Sequence, residues 1–318
     1  MPQVSIIVLT YHPDREKLLQ TLHAAVAQKL PELEIIVSDD GTPDRDLSWL
    51  PDFFRDHGIT QYQILMNPQN KGTVQNCLGA VRHARGKYVF LTSPGDLLFD
   101  ENVLADFCRF AEENRCDACF GNALFYTAEG TPRLTREVSS PPRPRLYAPE
   151  TVPAVSKAAF FGGDWVIGAA YFRSREFALT YFEAIADTSV YMEDTTSTAF
   201  ALADDRRLLY FDRNMIWYED GSGMSTGKSE LWKKRLDADL TKSFTKLKAL
   251  HPADPYVDIA LCNMTEKQAT KRIIIKLLRH PLTMLRILRA RKACPIQSVR
   301  CTDGDLERLR LLLALKKD

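Results

Sequence analysis

No run of about 18 uncharged apolar residues occurs anywhere in the 318-residue chain, so no membrane-spanning helix is expected. The N-terminus lacks a basic region leading into a long apolar stretch. It passes directly into Val4-Ser5-Ile6-Ile7-Val8-Leu9, too short for a signal peptide. An excess of one charge is also missing: 42 Lys and Arg stand against 41 Asp and Glu, a net +1. A uniformly basic nucleic-acid binder is therefore excluded, and no nucleic-acid partner is expected. Cysteine is sparse. Seven scattered residues, an odd number, do not make a disulfide scaffold and suit a reduced, cytoplasmic core. Cys116 and Cys119 form the sole CxxC, and without a second pair or clustered histidines it does not read as a zinc site. Internal repeats and low-complexity tracts are absent. What is present is 45% hydrophobic and 26% charged, a globular composition long enough for one large domain or a domain with an appendage.

The first hundred residues alternate in type. Residues 4–9 form a β-branched apolar run of the kind found in a buried parallel strand. Residues 14–29 carry Leu18, Leu19, Leu22, Ala25 and Val26 at helical spacing. Residues 33–37 form a second strand that ends at Asp39-Asp40-Gly41, and 63–66 a third. A helix is predicted over 73–85, a strand over 88–91 and a helix over 100–114. Such alternation implies an α/β fold with a mostly parallel sheet covered on both faces. Ligands in such sheets bind at the carboxyl ends of the strands. That directs attention to Thr10 and Tyr11, Asp39 and Asp40, Asn67 and Asn70, and Ser93 and Asp96.

Beyond this the pattern loosens. Residues 131–149 interleave five prolines with arginines and read as an extended surface excursion. An apolar series resumes at Val166–Phe172, a helix covers 174–186, another begins near Glu193, and Leu208–Trp217 reads as a strand. After about residue 228 no strand is expected. The sequence divides at that point into a catalytic domain, 1–227, and a C-terminal helical, basic and amphipathic extension, 228–318. Residues 271–292 hold eight Lys and Arg, no acid and a series of Ile and Leu, and Pro281 splits them into two helices. Leu306–Leu315 forms a further leucine-rich helix.

Four constellations carry chemistry. Ser38-Asp39-Asp40-Gly41-Thr42-Pro43-Asp44 follows a strand, where its acids can accept from the N–H and hydroxyl groups of a nucleoside; the plainer reading is a turn and helix cap. Thr92-Ser93-Pro94-Gly95-Asp96 is a tight turn presenting one carboxylate, sufficient for a hard divalent cation that also takes phosphate oxygens; the alternative is again a cap. Glu193-Asp194 opens a helix, where carboxylates commonly serve as caps, and it also has the chemistry of a general base. The run Trp217–Ser229 is rich in glycine and hydroxyls, fit either for a surface linker or for a loop over a pyrophosphate. Residues 222–229 nearly match a P-loop, with Ser222 in place of the first glycine, and no G-x-G-x-x-G follows an early strand.

In their order these segments resemble the family 2 glycosyltransferases of GT-A fold, over roughly residues 4–220. VSIIVLTYH resembles the first strand and its nucleotide-contacting turn. LEIIVSDDGTPD resembles the strand with its DDGSxD segment, and NPQNKGTVQNCLGAVRHARGKYVFLTSPGD the stretch leading to the DxD-type metal motif. The chain departs from the family where the aspartate run is reduced to Ser93-Pro94-Gly95-Asp96. FFGGDWVIGAAYFR resembles the acceptor-side segment, YMED the ED motif, and WYEDGSGMST the loop that folds over the diphosphate.

The resemblance implies inverting transfer of a sugar from a nucleotide diphosphate sugar, UDP-linked most commonly, to a hydroxyl of a glycan or lipid-linked acceptor in cell-surface polysaccharide synthesis. Asp194 would be the base and Glu193 its neighbour. Asp96 would hold Mg²⁺ or Mn²⁺. Thr10, Tyr11, Asp39, Asp40, Asn70, Gly72, Asn76, Ser93 and Gly95 would seat the donor, with Asp39 at the base edge. Ser222, Ser225 and Thr226 would close on the phosphates, and Trp165 and Gly168 would face the acceptor. The basic tail, 271–318, would lie on the inner face of the cytoplasmic membrane, or pack on the catalytic domain or on a second subunit in a homodimer. Two other classes remain to be weighed: a nucleotide-sugar binding module without transfer activity, and a P-loop phosphotransferase using Lys228 and Ser229.

Overall fold

The computed structural model describes residues 2–221 and 229–315. Its first part turns the early alternation into strands and helices within a residue or three of the expected ends. β1 (Val4–Thr10), β2 (Leu33–Asp39), β3 (Tyr62–Met66) and β4 (Tyr88–Thr92) alternate with α1 (Arg15–Val26), α2 (Leu50–Asp56) and α3 (Thr73–His83). The β-branched runs of β1 and β2 are buried on both faces, with Ile6, Ile7, Ile35 and Ile36 wholly covered. α1 starts where Asp14 accepts from the N–H groups of Glu16 and Lys17, an N-cap that ends the β1 turn. β1 lies between β2 and β4 and pairs with both in parallel, and β2 pairs in parallel with β3. Because these strands run the same way, Thr10, Asp39, Met66 and Thr92 all finish at one edge.

The second part continues the sheet with β5 (Leu97–Leu98), β6 (Ala118–Thr127), β7 (Arg133–Leu134), β8 (Tyr171–Ser174) and β9 (Leu209–Glu219). Its helices are α4 (Val103–Asn114), α5 (Pro153–Phe161), α6 (Arg175–Ile185) and α7 (Glu193–Ala203). The strand order is β3-β2-β1-β4-β8-β6-β9-β5, with β7 on β6. The long β6–β9 pairing is parallel, and the short pairings of β8, β5 and β7 are antiparallel. β6 was not anticipated from sequence, yet it touches three other strands. Residues 131–149 depart from the expected surface excursion: a 3₁₀ turn at Pro144–Tyr147 buries Leu146 and Tyr147, and the Tyr147 hydroxyl donates to the Asp164 carbonyl at 2.5 Å.

From residue 229 the described chain forms α8 (Glu230–Leu250), α9 (Pro255–Thr265), α10 (Ala269–Arg279), α11 (Pro281–Ala293) and α12 (Asp303–Ala314). Pro281 separates α10 from α11 as expected, because it cannot supply the N–H that would continue the first helix. α8 packs on α7 and α9, α11 on α5, and α12 on α1. Among the described residues no helix is long and apolar enough to cross a membrane.

Candidate active site

A cavity of about 1320 Å³ opens at the carboxyl edge of the parallel strands. Its walls include Thr10, Tyr11, Asp40, Asn70, Gly72, Asn76, Ser93, Asp96, Trp165, Gly168, Glu193 and Asp194. Most of the residues singled out by sequence therefore share one space. Asp39 and Gly95 stand behind the wall, and Ser222, Ser225, Thr226 and Lys228 lie outside the described residues. Ser229, the last residue of the P-loop-like run, caps α8 by accepting from the Trp232 N–H at 3.4 Å.

The strand-end acids are held by their own loops. Asp39 is fully covered. Its oxygens accept from the Thr42 N–H at 2.8 Å, the Thr42 hydroxyl at 2.7 Å and the Thr10 hydroxyl at 3.0 Å. Arg45 Nη1 also stands 3.6 Å from Asp39 Oδ1. Asp40 accepts from the N–H groups of Lys71 and Gly72 at 3.0 and 2.9 Å and so shapes the turn that brings Asn70 to the wall. Gly41 is needed there. It has φ +77, and a Cβ would fall 2.3 Å from the Gln69 carbonyl carbon. Asn76 joins α3 to β2 by accepting from the Ser38 hydroxyl and donating to the Ser38 carbonyl.

At the β4 end, Gly95 adopts φ +98, donates to the Thr21 hydroxyl at 3.0 Å and accepts from Tyr126 OH at 2.7 Å. This turn fixes Asp96, buried beside Glu219 from the end of β9. The Glu219 N–H donates to Asp96 Oδ1 at 3.4 Å, while the Glu219 carboxylate pairs with Lys17 Nζ at 2.6 Å. Burial, with the Glu219 charge adding to it, pushes Asp96 up to about 8, against the pull of the Glu219 N–H and the Lys17 ammonium. Glu219 and Lys17 were not singled out by sequence. The former lay inside the WYEDGSGMST segment, unremarked. Among the described residues no three His, Cys, Asp or Glu side chains gather as a metal cage. The buried carboxylate of Asp96 with Glu219 adjoining fits a hard divalent cation that takes its other ligands from phosphate and water.

Elsewhere on the cavity wall, α7 begins with Glu193 and Asp194, whose carboxylates lie at a helix N-terminus. Gly168 makes room for them: a Cβ there would stand 2.5 Å from Glu193 Oε1. Burial raises both carboxyls above their ordinary range, and the Asp194 charge raises Glu193 further. The Thr195 N–H donates to Asp194 at 2.5 Å, and backbone N–H groups with the buried Arg173 guanidinium oppose the rise at both carboxyls. The cavity wall also holds Tyr191 and Trp232, edge to face with ring centres 4.9 Å apart, and Arg235 lies 4.8 Å from the Trp232 ring centre. Trp232, Arg235 and Leu240 belong to α8, so the helical region supplies part of the wall.

The α/β sheet thus carries a strand-end cavity whose walls include the carboxylates of Asp96, Glu193 and Asp194. The family model for glycosyl transferase family 2 matches residues 5–167, and the chain belongs to that family. No curated protein matches the chain in sequence. Among solved structures, S. aureus TarS 1-349 in complex with UDP superposes with a TM-score of 0.60 at 16% identity, over 91% of this chain and 81% of that one. The same fragment in complex with UDP-GlcNAc gives 0.62 at 16% identity, over 91% and 79%. The mannosyltransferase PcManGT from Pyrobaculum calidifontis, in complex with GDP-Man and Mn²⁺, gives 0.55 at 17% identity, over 99% and 80%.

Proposed function

We propose that this glycosyltransferase moves a sugar, with inversion, from a nucleoside diphosphate sugar, UDP-linked by preference, to a hydroxyl of a glycan or lipid-linked acceptor in cell-surface polysaccharide synthesis. The observation that carries the reading is the placement of Asp96 and Asp194 on the walls of one cavity. Thr10, Tyr11, Asp40, Asn70, Gly72, Asn76 and Ser93 line the nucleoside side, with Asp39 bracing Thr10 from behind. Asp96, with Glu219, would hold Mg²⁺ or Mn²⁺ on the donor diphosphate. When bound, such an ion supplies positive charge against the leaving group.

Asp194 accepts the proton of the acceptor hydroxyl as that oxygen attacks the anomeric carbon from the face opposite the diphosphate. Its raised basicity suits that task at neutral pH. Glu193 is its neighbour and orients the acceptor. Trp165, Tyr191 and Trp232 offer apolar faces for the acceptor sugar. The residues of 222–228, outside the described chain, connect β9 to α8 and are the segment assigned to closure over the diphosphate.

The α10–α11 pair supports a peripheral membrane site on the cytoplasmic face. α10 has no buried residue, and Ile273, Ile274, Leu277, Leu278, Leu282, Leu285 and Leu288 are exposed beside a basic, acid-free run. Arg291, Lys276 and Arg286 are bonded to Asp164, Asn263 and Tyr256, yet the stretch keeps its net positive charge. Each Lys or Arg at an anionic surface contributes about 1 kcal/mol.

A panel of nucleotide sugars screened by thermal shift, with and without Mn²⁺, tests the donor reading without needing an acceptor. A ligand at 100 times its Kd stabilises the folded state by about 2.7 kcal/mol. A UDP-sugar is expected to raise the melting temperature most in the presence of Mn²⁺. If no nucleotide sugar moves it, the reading fails.

A further inference from the structure

Asp239, on α8, is a charged side chain with 4% exposure and no place in the chemistry above. Its Oδ2 accepts from three successive backbone N–H groups: Val190 at 2.9 Å, Tyr191 at 2.6 Å and Met192 at 3.3 Å. The Ser189 hydroxyl donates to the same oxygen at 3.3 Å. Consecutive amides converging on one point make an anion-binding concavity, and here the anion is supplied by the chain itself. The concavity ends at Met192, one residue before Glu193.

The same loop abuts the donor half of the cavity. The Val190 carbonyl accepts from the Val74 N–H at 2.9 Å, and a Cβ on Gly72 would meet Val190 Cγ1 at 2.3 Å. α8 grips the segment before the loop as well. Ser243 Oγ meets Thr188 Oγ1 at 2.9 Å, and Lys246 Nζ pairs with Asp187 at 2.6 Å and donates to the Ala184 carbonyl at 2.8 Å. Residues 239, 243 and 246 share one helix face, so a single face of α8 fastens 184–192.

We propose that Asp239 is a positioning residue: by filling the amide concavity of 189–192 it sets Glu193 and Asp194 at the distance from the acceptor hydroxyl that transfer requires. The proposal rests on the glycosyl-transfer reading above. Hydrogen bonds to an ionised acceptor belong to the strong class; without it the Val190 and Tyr191 amides relax towards water, while the Met192 N–H keeps the Ser189 hydroxyl at 3.2 Å. A shift of about 1 Å in a reacting group costs about 100-fold in rate. Donor affinity is set mainly by other walls of the cavity and stays nearly constant.

The test uses the full chain as wild type, Asp239→Ala, Asp239→Asn, and Ser243→Ala as a control that loosens α8 without emptying the concavity. Amide hydrogen exchange needs no substrate. Asp239→Ala is expected to speed exchange at 190–192 about tenfold, with the amides of the β1–β4 sheet unchanged. With UDP-GlcNAc as the probe donor, kcat for UDP release falls about 100-fold in Asp239→Ala while donor KM stays within about twofold. Asp239→Asn, which keeps an acceptor oxygen, recovers about tenfold of that loss. Exchange at 190–192 that does not change, or losses no larger than those of Ser243→Ala, overturns the proposal. A wild type that releases no UDP from any donor refutes the transfer reading instead, and the exchange result still decides whether Asp239 holds the loop.

Discussion

At the residue scale, the two carboxylates that open α7 share an environment that raises both. Glu193 sits against Gly168 with the Asp194 charge beside it, and Asp194 receives the Thr195 N–H. With Asp194 as the proposed base, transfer requires it ionised. Its carboxyl is raised by burial, so kcat/KM should climb with pH along a limb whose midpoint lies above the ordinary carboxylate value of about 4. The stability sign is opposite. A folded-state proton affinity above the unfolded one contributes stability that is full at low pH and lost as pH rises through the folded value. The melting temperature should therefore decline while activity rises, and Glu193→Gln should flatten the decline; a flat profile in the parent chain contradicts this. Sequence placed Asp96 and Asp194 on candidate segments because their motifs are local. It missed the Lys17–Glu219 pair, whose members are separated by 202 positions, and Asp239, whose role exists only through contacts 47–50 positions away.

At the element scale, β1, β2 and the α3–β4 turn are tied by one buried acid. Glu34 accepts from the Ser5 hydroxyl at 2.5 Å, the Arg85 N–H at 2.8 Å, Arg85 Nε at 2.7 Å and Gln63 Nε2 at 2.9 Å. Burial would raise its carboxyl, but these bonds outweigh it and hold it below the usual range. Its contribution is thus present above the unfolded value and lost as pH falls through the folded one. Glu34→Gln should cost about 2 kcal/mol in urea unfolding at pH 7 and less at pH 4; an unchanged midpoint would remove Glu34 from the account. The early elements were legible because each has its own period, and α1 its own Asp14 cap. β6 was not. Ala-Cys-Phe-Gly-Asn-Ala-Leu-Phe-Tyr-Thr has neither alternation nor helical spacing, since both faces are covered. Its partners β8 and β9 arrive some 50 to 90 residues later.

At the scale of the whole molecule, the helical region does two things. Through α8 it walls the cavity, and through α10 and α11 it presents an apolar, basic surface. The division between catalytic domain and extension read from composition marks where strands cease, while the cavity draws on both sides of it. If α10 and α11 rest on a membrane, the full chain should float with vesicles containing anionic lipid and not with neutral ones. Leu278→Glu with Leu282→Glu should abolish flotation while UDP-sugar binding persists. Equal flotation of parent and variant would assign this surface elsewhere.

The central claim is that one cavity both binds an activated sugar and activates an acceptor. Asp194→Asn separates the two most directly when donor affinity and sugar transfer are measured on the same preparation. The account predicts an unchanged Kd for the UDP-sugar and a transfer rate lower by about a thousandfold. Transfer at the parental rate, or loss of donor binding in step with transfer, would contradict it.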